Sequence, residues 1–111
     1  MACDEDLANR IRELVLAEEG VREQRMFGGL AFLINGNMSV SVSGRGGLLL
    51  RVAPQDTEKL LRLPHAQPFE MRGRMMDGWL RVDAAGLATK RQLERWVARG
   101  VSHARTLPHK R

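Results

Sequence analysis

Basic side chains at helical spacing are the first candidates for chemistry in this sequence. Arg91, Arg95 and Arg99 recur at i, i+4 and i+8, so on a helix they form one charged stripe. Such a stripe can neutralise the phosphates of a nucleic acid, which supply most of the free energy of non-specific binding. It can equally be a solvated helix face whose cations favour the helix dipole. The stripe is therefore a candidate nucleic-acid contact.

A second candidate site follows from alternation along the predicted strands. We expect the large apolar side chains to face the helices, namely Met38, Val40, Val42, Leu48, Leu50, Val52, Phe69, Met71, Leu80 and Val82. The opposite, open face then carries Arg51, Arg72, Trp79 and Arg81, together with Ser39, Ser41, Leu49 and Glu70. Three arginines and a tryptophan suit an anion or a stacked base. The alternative is a solvated face on which arginine stems cover Trp79.

Residues suited to catalysis or metal binding are few and scattered. The three histidines lie far apart, and the one cysteine, Cys3, is near the N-terminus, so no group has metal-ligand spacing. His65, beside Pro64, is the one histidine in a predicted loop, and it has no nucleophile next to it. Gly28-Gly29 and residues 44–47 lack the pattern of a phosphate loop and are typical of turns. We predict no enzyme activity, metal or cofactor.

The composition indicates one globular domain spanning residues 1–111. A hydrophobic fraction of 43% and a charged fraction of 28% are ordinary for a soluble protein. A single cysteine excludes an internal disulfide, the N-terminus is acidic, and no apolar run approaches the ~20 residues of a membrane span. We therefore expect a cytoplasmic protein without membrane contact. The net charge is +5, with twelve Lys/Arg against six Asp/Glu in residues 54–111. This excess favours an anionic partner or a solvated surface.

Three predicted helices position these residues. Residues 5–19 carry one apolar stripe, with Asp4 as N-cap and Gly20 as the stop. Residues 54–62 form a short helix opened by a proline. The last helix begins with a capping box at residues 89–92, buries Trp96 and ends at Leu107-Pro108. Gly100 inside it predicts close packing or a kink.

The strands between the helices predict an antiparallel sheet. Strands are expected at 30–34, 38–42, 48–52, 69–72 and 79–82, and the number before the second helix is three or four. A turn is expected at Asp77-Gly78 between the last two strands. The fold class is α+β, with two layers: a sheet of five or six strands and three helices in the order α-β3/4-α-β2-α.

The Asn35-Gly36 pair leaves two registers open. A tight two-residue turn pairs Ile34 with Asn37 and turns Phe32 away from Val40. It would create an exposed apolar patch suited to a homodimer or partner. A three-residue loop or a bulge pairs Phe32 with Val40 and gathers the large side chains on one face. Because burial should decide the register, we favour the loop or bulge.

Three stretches resemble the N-terminal domain of the TfoX (Sxy) competence-regulator family. They are residues 25–32 with 35–38, residues 73–79, and residues 93–97 with 104–108. The resemblance implies a secretion-chaperone-like fold and a role in competence or transcription regulation, and it supplies no catalytic residues. Longer family members carry a second domain that is not found in these residues.

From the charge pattern and the resemblance together, we expect a non-enzymatic regulatory module that contacts protein or nucleic acid. The alternative is a module that uses the open sheet face to bind a small molecule or to self-associate as a homodimer.

Overall fold

The computed structural model describes residues 4–26 and 28–110, so Cys3, Phe27 and Arg111 lie outside the described residues. Helix α1 spans Glu5–Leu14, α2 spans Thr57–Leu60 after a 3₁₀ turn at Pro54–Asp56, and α3 spans Lys90–Arg105 after a 3₁₀ turn at Ala84–Leu87. The strands are β1 Val21–Met26, β2 Gly29–Ile34, β3 Asn37–Val42, β4 Leu48–Arg51, β5 Ala66–Met71 and β6 Arg74–Val82. The α+β prediction is confirmed, and the sheet has six strands.

All neighbouring strands are antiparallel, in the order β1-β2-β3-β4-β6-β5. Helix α3 packs across β3 and β4, and α1 packs beside α3 on that same face. The capping box that opens α3 is present, with Thr89 and Gln92 satisfying each other's backbone N–H groups. Trp96 is buried in the core between helix and sheet, as predicted. The opposite face of the sheet has no helix over it in the described part of the chain.

Two helices are shorter than the sequence predicts. The first ends at Leu14 rather than at residue 19, with Val15 as its cap, and Gly20 has φ of +77° immediately before β1. The second is one α-helical turn behind the 3₁₀ turn that Pro54 opens, and it ends at Leu60 rather than at residue 62. None of the helices in the described part of the chain has the length and apolar character needed to cross a bilayer.

The Asn35-Gly36 hairpin combines both registers considered above. The turn is the tight two-residue form, with Ile34 opposite Asn37 and both turn residues at positive φ. A bulge then inserts Ser39, so that Phe32 still pairs with Val40. Ser39 is fully buried and its hydroxyl donates to the Phe32 carbonyl at 2.8 Å, so its placement on the open face was wrong.

Because of the bulge, the strand β2 side chains of the expected exposed apolar patch are buried. The side chains of Leu30, Phe32 and Ile34 are at most 3% exposed, so they belong to the core. Each large apolar residue buried in this way contributes roughly 1.5–3 kcal/mol.

The second hairpin corrects the predicted turn. It reverses at Arg72-Gly73, where φ is +55° and +80°, and not at Asp77-Gly78. Gly78 instead lies inside β6, where its N–H donates to the Thr57 hydroxyl at 2.7 Å and its carbonyl accepts from Val52 at 2.9 Å. Glycine permits positive φ at both Gly73 and Gly78. The hydrogen bonds with Thr57 and Val52 hold Gly78 within the strand.

Three apolar residues predicted to face the helices lie on the other side. Met38 pairs with Leu33 beyond the bulge in β3 and lines the open face. In β5, Pro68 pairs with Leu80, which faces the core, so Phe69 and Met71 alternate to the open face. In β3 one extra residue shifts the alternation, whereas in the β5–β6 hairpin the extra residues lie on β6, between Met75 and Leu80.

Candidate binding site on the open sheet face

The uncovered face of the sheet forms two adjoining concavities of about 760 and 560 Å³. Both are lined by Met26, Met38 and Trp79, so they are two parts of one depression that we call the open face. The first part extends over β1 and the β2–β3 turn, and the second extends to the β5–β6 hairpin. A concave, mostly apolar surface with a few charged groups is the usual form of a ligand site.

Trp79 lies at the centre of the open face because β6 pairs with β4. In that register Trp79 stands opposite Arg51, and directly opposed residues share a face. The Arg51 guanidinium carbon lies 5.6 Å from the centroid of the indole ring, which is cation–π range. Phe69 contacts the same indole, with ring centroids 6.2 Å apart and tilted by 48°.

Arg81 is held on the same face, two residues along β6 from Trp79. It pairs with Leu49 across the β4–β6 ladder and donates to the Gly46 carbonyl at 3.1 Å. This hydrogen bond ties the guanidinium to the β3–β4 loop. Arg72 lines the same depression from the hairpin turn and not from a strand. All four residues predicted for the open face, Arg51, Arg72, Trp79 and Arg81, are therefore brought together.

The charge of the open face is predominantly positive. Among the described residues that line it, six are cationic and one is a carboxylate: Arg22, Arg45, Arg51, Arg72, Arg81 and Lys110, against Glu70. The ion pairs formed by the described residues lie elsewhere, including a two-bond contact between Arg12 and Glu23 and the pair Arg105–Glu18. The side-chain hydrogen bonds from Arg12 hold the pKa of Glu23 below its usual range. Cations are thus compensated by carboxylates on the helix side and not on the open face.

Methionine is the feature of the site that sequence reasoning missed. Four of the six methionines in the chain line the open face: Met26, Met38, Met71 and Met76. Two of them, Met38 and Met71, were assigned to the core. The bulge at Ser39 shifts Met38 without a local signal, and the strand predicted at 69–72 was given the opposite face. The one signal in the sequence is that all four methionines lie in or beside predicted strands. The thioether side chain is flexible and polarisable, which suits a surface that adapts to its ligand.

The α3 arginines form a weaker site than their spacing predicts. Arg91 and Arg95 are exposed, whereas Arg99 lies with its guanidinium carbon 4.6 Å from the centroid of the buried Trp96. Burial, with the nearby charge of Arg95, lowers the pKa of Arg99. The third arginine therefore covers the core tryptophan, and the exposed pair is left to meet a phosphate.

His65 contacts Asp83 and has a structural role. Its Nδ1 lies 3.0 Å from Oδ1 of Asp83, and that same oxygen accepts the N–H of Gly86 at 3.1 Å. The pair holds the 3₁₀ turn before α3 against the loop that carries His65. Within residues 4–26 and 28–110, no three histidine, cysteine or acidic side chains are grouped as a metal site would require.

The fold and the site define a two-layer α+β domain with one face under helices and one face open, basic and rich in methionine. The chain belongs to a known family, because the model of the TfoX N-terminal domain matches residues 13–104, nearly its whole length. This confirms the resemblance seen in the sequence. No curated protein and no solved structure matched the chain.

Proposed function

We propose that this domain is a non-enzymatic regulatory module that works by binding an anionic, partly apolar partner on its open face. The observation that carries the proposal is the set of six cations and one carboxylate around Trp79, Phe69 and the four methionines. The family supports a regulatory domain. Within that role we propose the control of transcription, including that of natural competence, as the resemblance to the family implies.

The two kinds of side chain on the open face support binding by complementary means. Burial of apolar surface against the rings and thioethers contributes about 25 cal/mol per Å². The uncompensated cations accelerate the encounter with an anion and disfavour cationic competitors. Guanidinium and ammonium groups donate hydrogen bonds and accept none, so these side chains suit holding an anion.

The experiment uses anilinonaphthalene sulfonate, a small dye that is both anionic and aromatic. We expect it to bind the folded protein with increased dye fluorescence and with a change in Trp79 emission. Changing Arg51 and Arg81 together to Glu should weaken binding by about tenfold, since two attractive charges become repulsive.

The matched control changes Arg91 and Arg95 together to Glu on the helix side, which alters the net charge by the same amount. We expect this variant to bind the dye as the parent does. Equal weakening in both double variants would contradict the proposal, because it would mean that the dye responds to net charge and not to the open face. Circular dichroism checks that each variant is folded.

A further inference from the structure

We infer that the natural occupant of the open face is an acidic amphipathic peptide segment of a partner protein, one that presents carboxylates beside large apolar side chains. The inference rests on the proposed function and identifies the class of partner.

Charge complementarity points to carboxylates at several positions. Arg22 and Lys110 line one end of the open face, Arg51 and Arg81 lie near its centre, and Arg45 and Arg72 line the other end. The cations are thus spread along the depression and not gathered at one point. A single small anion would meet one or two of them, whereas an acidic segment lying along the depression meets most of them. Electrostatic complementarity of this kind sets the orientation and the on-rate of a partner.

The apolar lining points to hydrophobic side chains between those carboxylates. Trp79 and Phe69 form one aromatic contact, and Met38 and Met76 flank it from two different strands. Met71 is 46% exposed at the hairpin end, so its thioether is available to a ligand. Methionine-lined surfaces accommodate leucine, phenylalanine or tryptophan side chains of varied shape.

A single-stranded nucleic acid fits the open face less well. Such ligands stack successive bases on separate aromatic side chains along a basic groove. Among the described residues, the two aromatic rings of the open face touch each other and offer one platform. The other apolar side chains that line it are thioether and aliphatic, so successive bases find no second aromatic platform among the described residues.

A second copy of the chain is disfavoured by charge. Two open faces meeting would bring six cations against six, with one carboxylate on each side to offset them. Like charges placed opposite each other at an interface cost several kcal/mol. The same repulsion argues against a homodimer through this surface.

The test compares three fluorescently labelled probes with the intact protein. The first is a synthetic peptide that alternates acidic residues with leucine and phenylalanine, the second replaces its apolar residues by serine, and the third is an oligothymidylate of equal charge. We expect the first probe to bind at least about tenfold more tightly than either of the others. Binding should change Trp79 emission, and Trp79→Phe should remove that signal while Trp96 continues to emit.

Two sets of variants locate the contact. Arg51→Gln combined with Arg81→Gln should weaken the first probe, and the Glu versions should weaken it further. Changing Arg91 and Arg95 to Glu should leave it unchanged. Because the Gln versions keep the length of the side-chain stems, they test charge without a reversal that could disturb the β3–β4 loop.

Tighter binding of the oligothymidylate would overturn the inference in favour of nucleic acid. Equal binding of the two peptides would overturn it in favour of a simple polyanion. Self-association of the protein that competes with the peptide would overturn it in favour of a second copy. If the dye binds at the open face and neither peptide does, the inference fails while the proposed function stands; if the dye does not bind there, the proposed function fails.

Discussion

Gly100 shows how a single residue sets the distance between the two layers. A Cβ at this position would lie 2.6 Å from the Ser39 carbonyl oxygen and 2.8 Å from Cγ1 of Val40. We therefore expect Gly100→Ala to destabilise the domain by about 1–3 kcal/mol through overpacking, although alanine is the better helix former by roughly 1 kcal/mol. The free energy of unfolding from chemical denaturation measures the effect.

The control for this substitution is Ser102→Ala, which changes an exposed position on the same helix. We expect its unfolding free energy to stay within about 0.5 kcal/mol of the parent. A Gly100→Ala variant more stable than the parent would show that α3 moves away from β3 without cost.

Helix α3 carries the arginine stripe, and its geometry limits what the stripe can do. With Arg99 drawn over Trp96, two exposed arginines are left for phosphates. We expect weak binding to duplex DNA. The logarithm of the binding constant should fall with the logarithm of the salt concentration with a slope of about −2, so binding should be lost at physiological salt. Titration of a labelled duplex at several salt concentrations measures the slope. A steep slope, or binding that survives reversal of Arg91 and Arg95, would place the DNA contact elsewhere.

The elements also show where sequence reasoning succeeds. The capping box, the buried Trp96 and a turn at Asn35-Gly36 depend on local patterns and were predicted, although a three-residue loop or a bulge was favoured over the tight form of that turn. A bulge that pairs Phe32 with Val40 was favoured from burial, and the structure has it at Ser39, where α3 packs over β3. The position of the second turn depends on the hydrogen bond that Gly78 donates to Thr57 and on the one that it accepts from Val52. These are contacts between distant segments, so alternation along one strand could not reveal them. For the site, Arg51, Arg72, Arg81 and Trp79 were predicted, whereas its methionines and the cations Arg22, Arg45 and Lys110 were not.

At the scale of the whole molecule, two groups couple stability to pH. Burial, followed by the charge of Arg51, lowers the pKa of His103, although Asp56 opposes the shift. As the pH falls below about 6.5, the unfolded chain takes up a proton that the folded His103 resists, so the free energy of unfolding decreases. The pKa of Glu23 is lowered in the folded protein, so Glu23 stabilises the fold at pH values above its unfolded pKa of about 4.3. This stabilisation is lost as the pH falls through the pKa of the folded state.

We therefore expect thermal stability to decrease in two steps on acidification. His103→Gln should remove the upper step and leave the lower one, with His109→Gln as the matched control for the loss of an imidazole. Melting curves between neutral and acidic pH measure both steps. Stability that rises as the pH falls from neutral would have the opposite sign and would rule out this account of His103.

The last described residues lie against the β2–β3 turn. The backbone N–H of Lys110 donates to the Asn35 carbonyl at 2.8 Å, and the buried Asn37 amide donates to the Pro108 carbonyl at 2.8 Å. Lys110 itself lines the open face, whereas α1 starts in the helix layer. A reporter dye attached at Lys110 would therefore sit at the rim of the depression and sense its occupancy directly. A bulky label there would compete with any ligand, so a handle for immobilisation belongs in the helix layer, away from the open face.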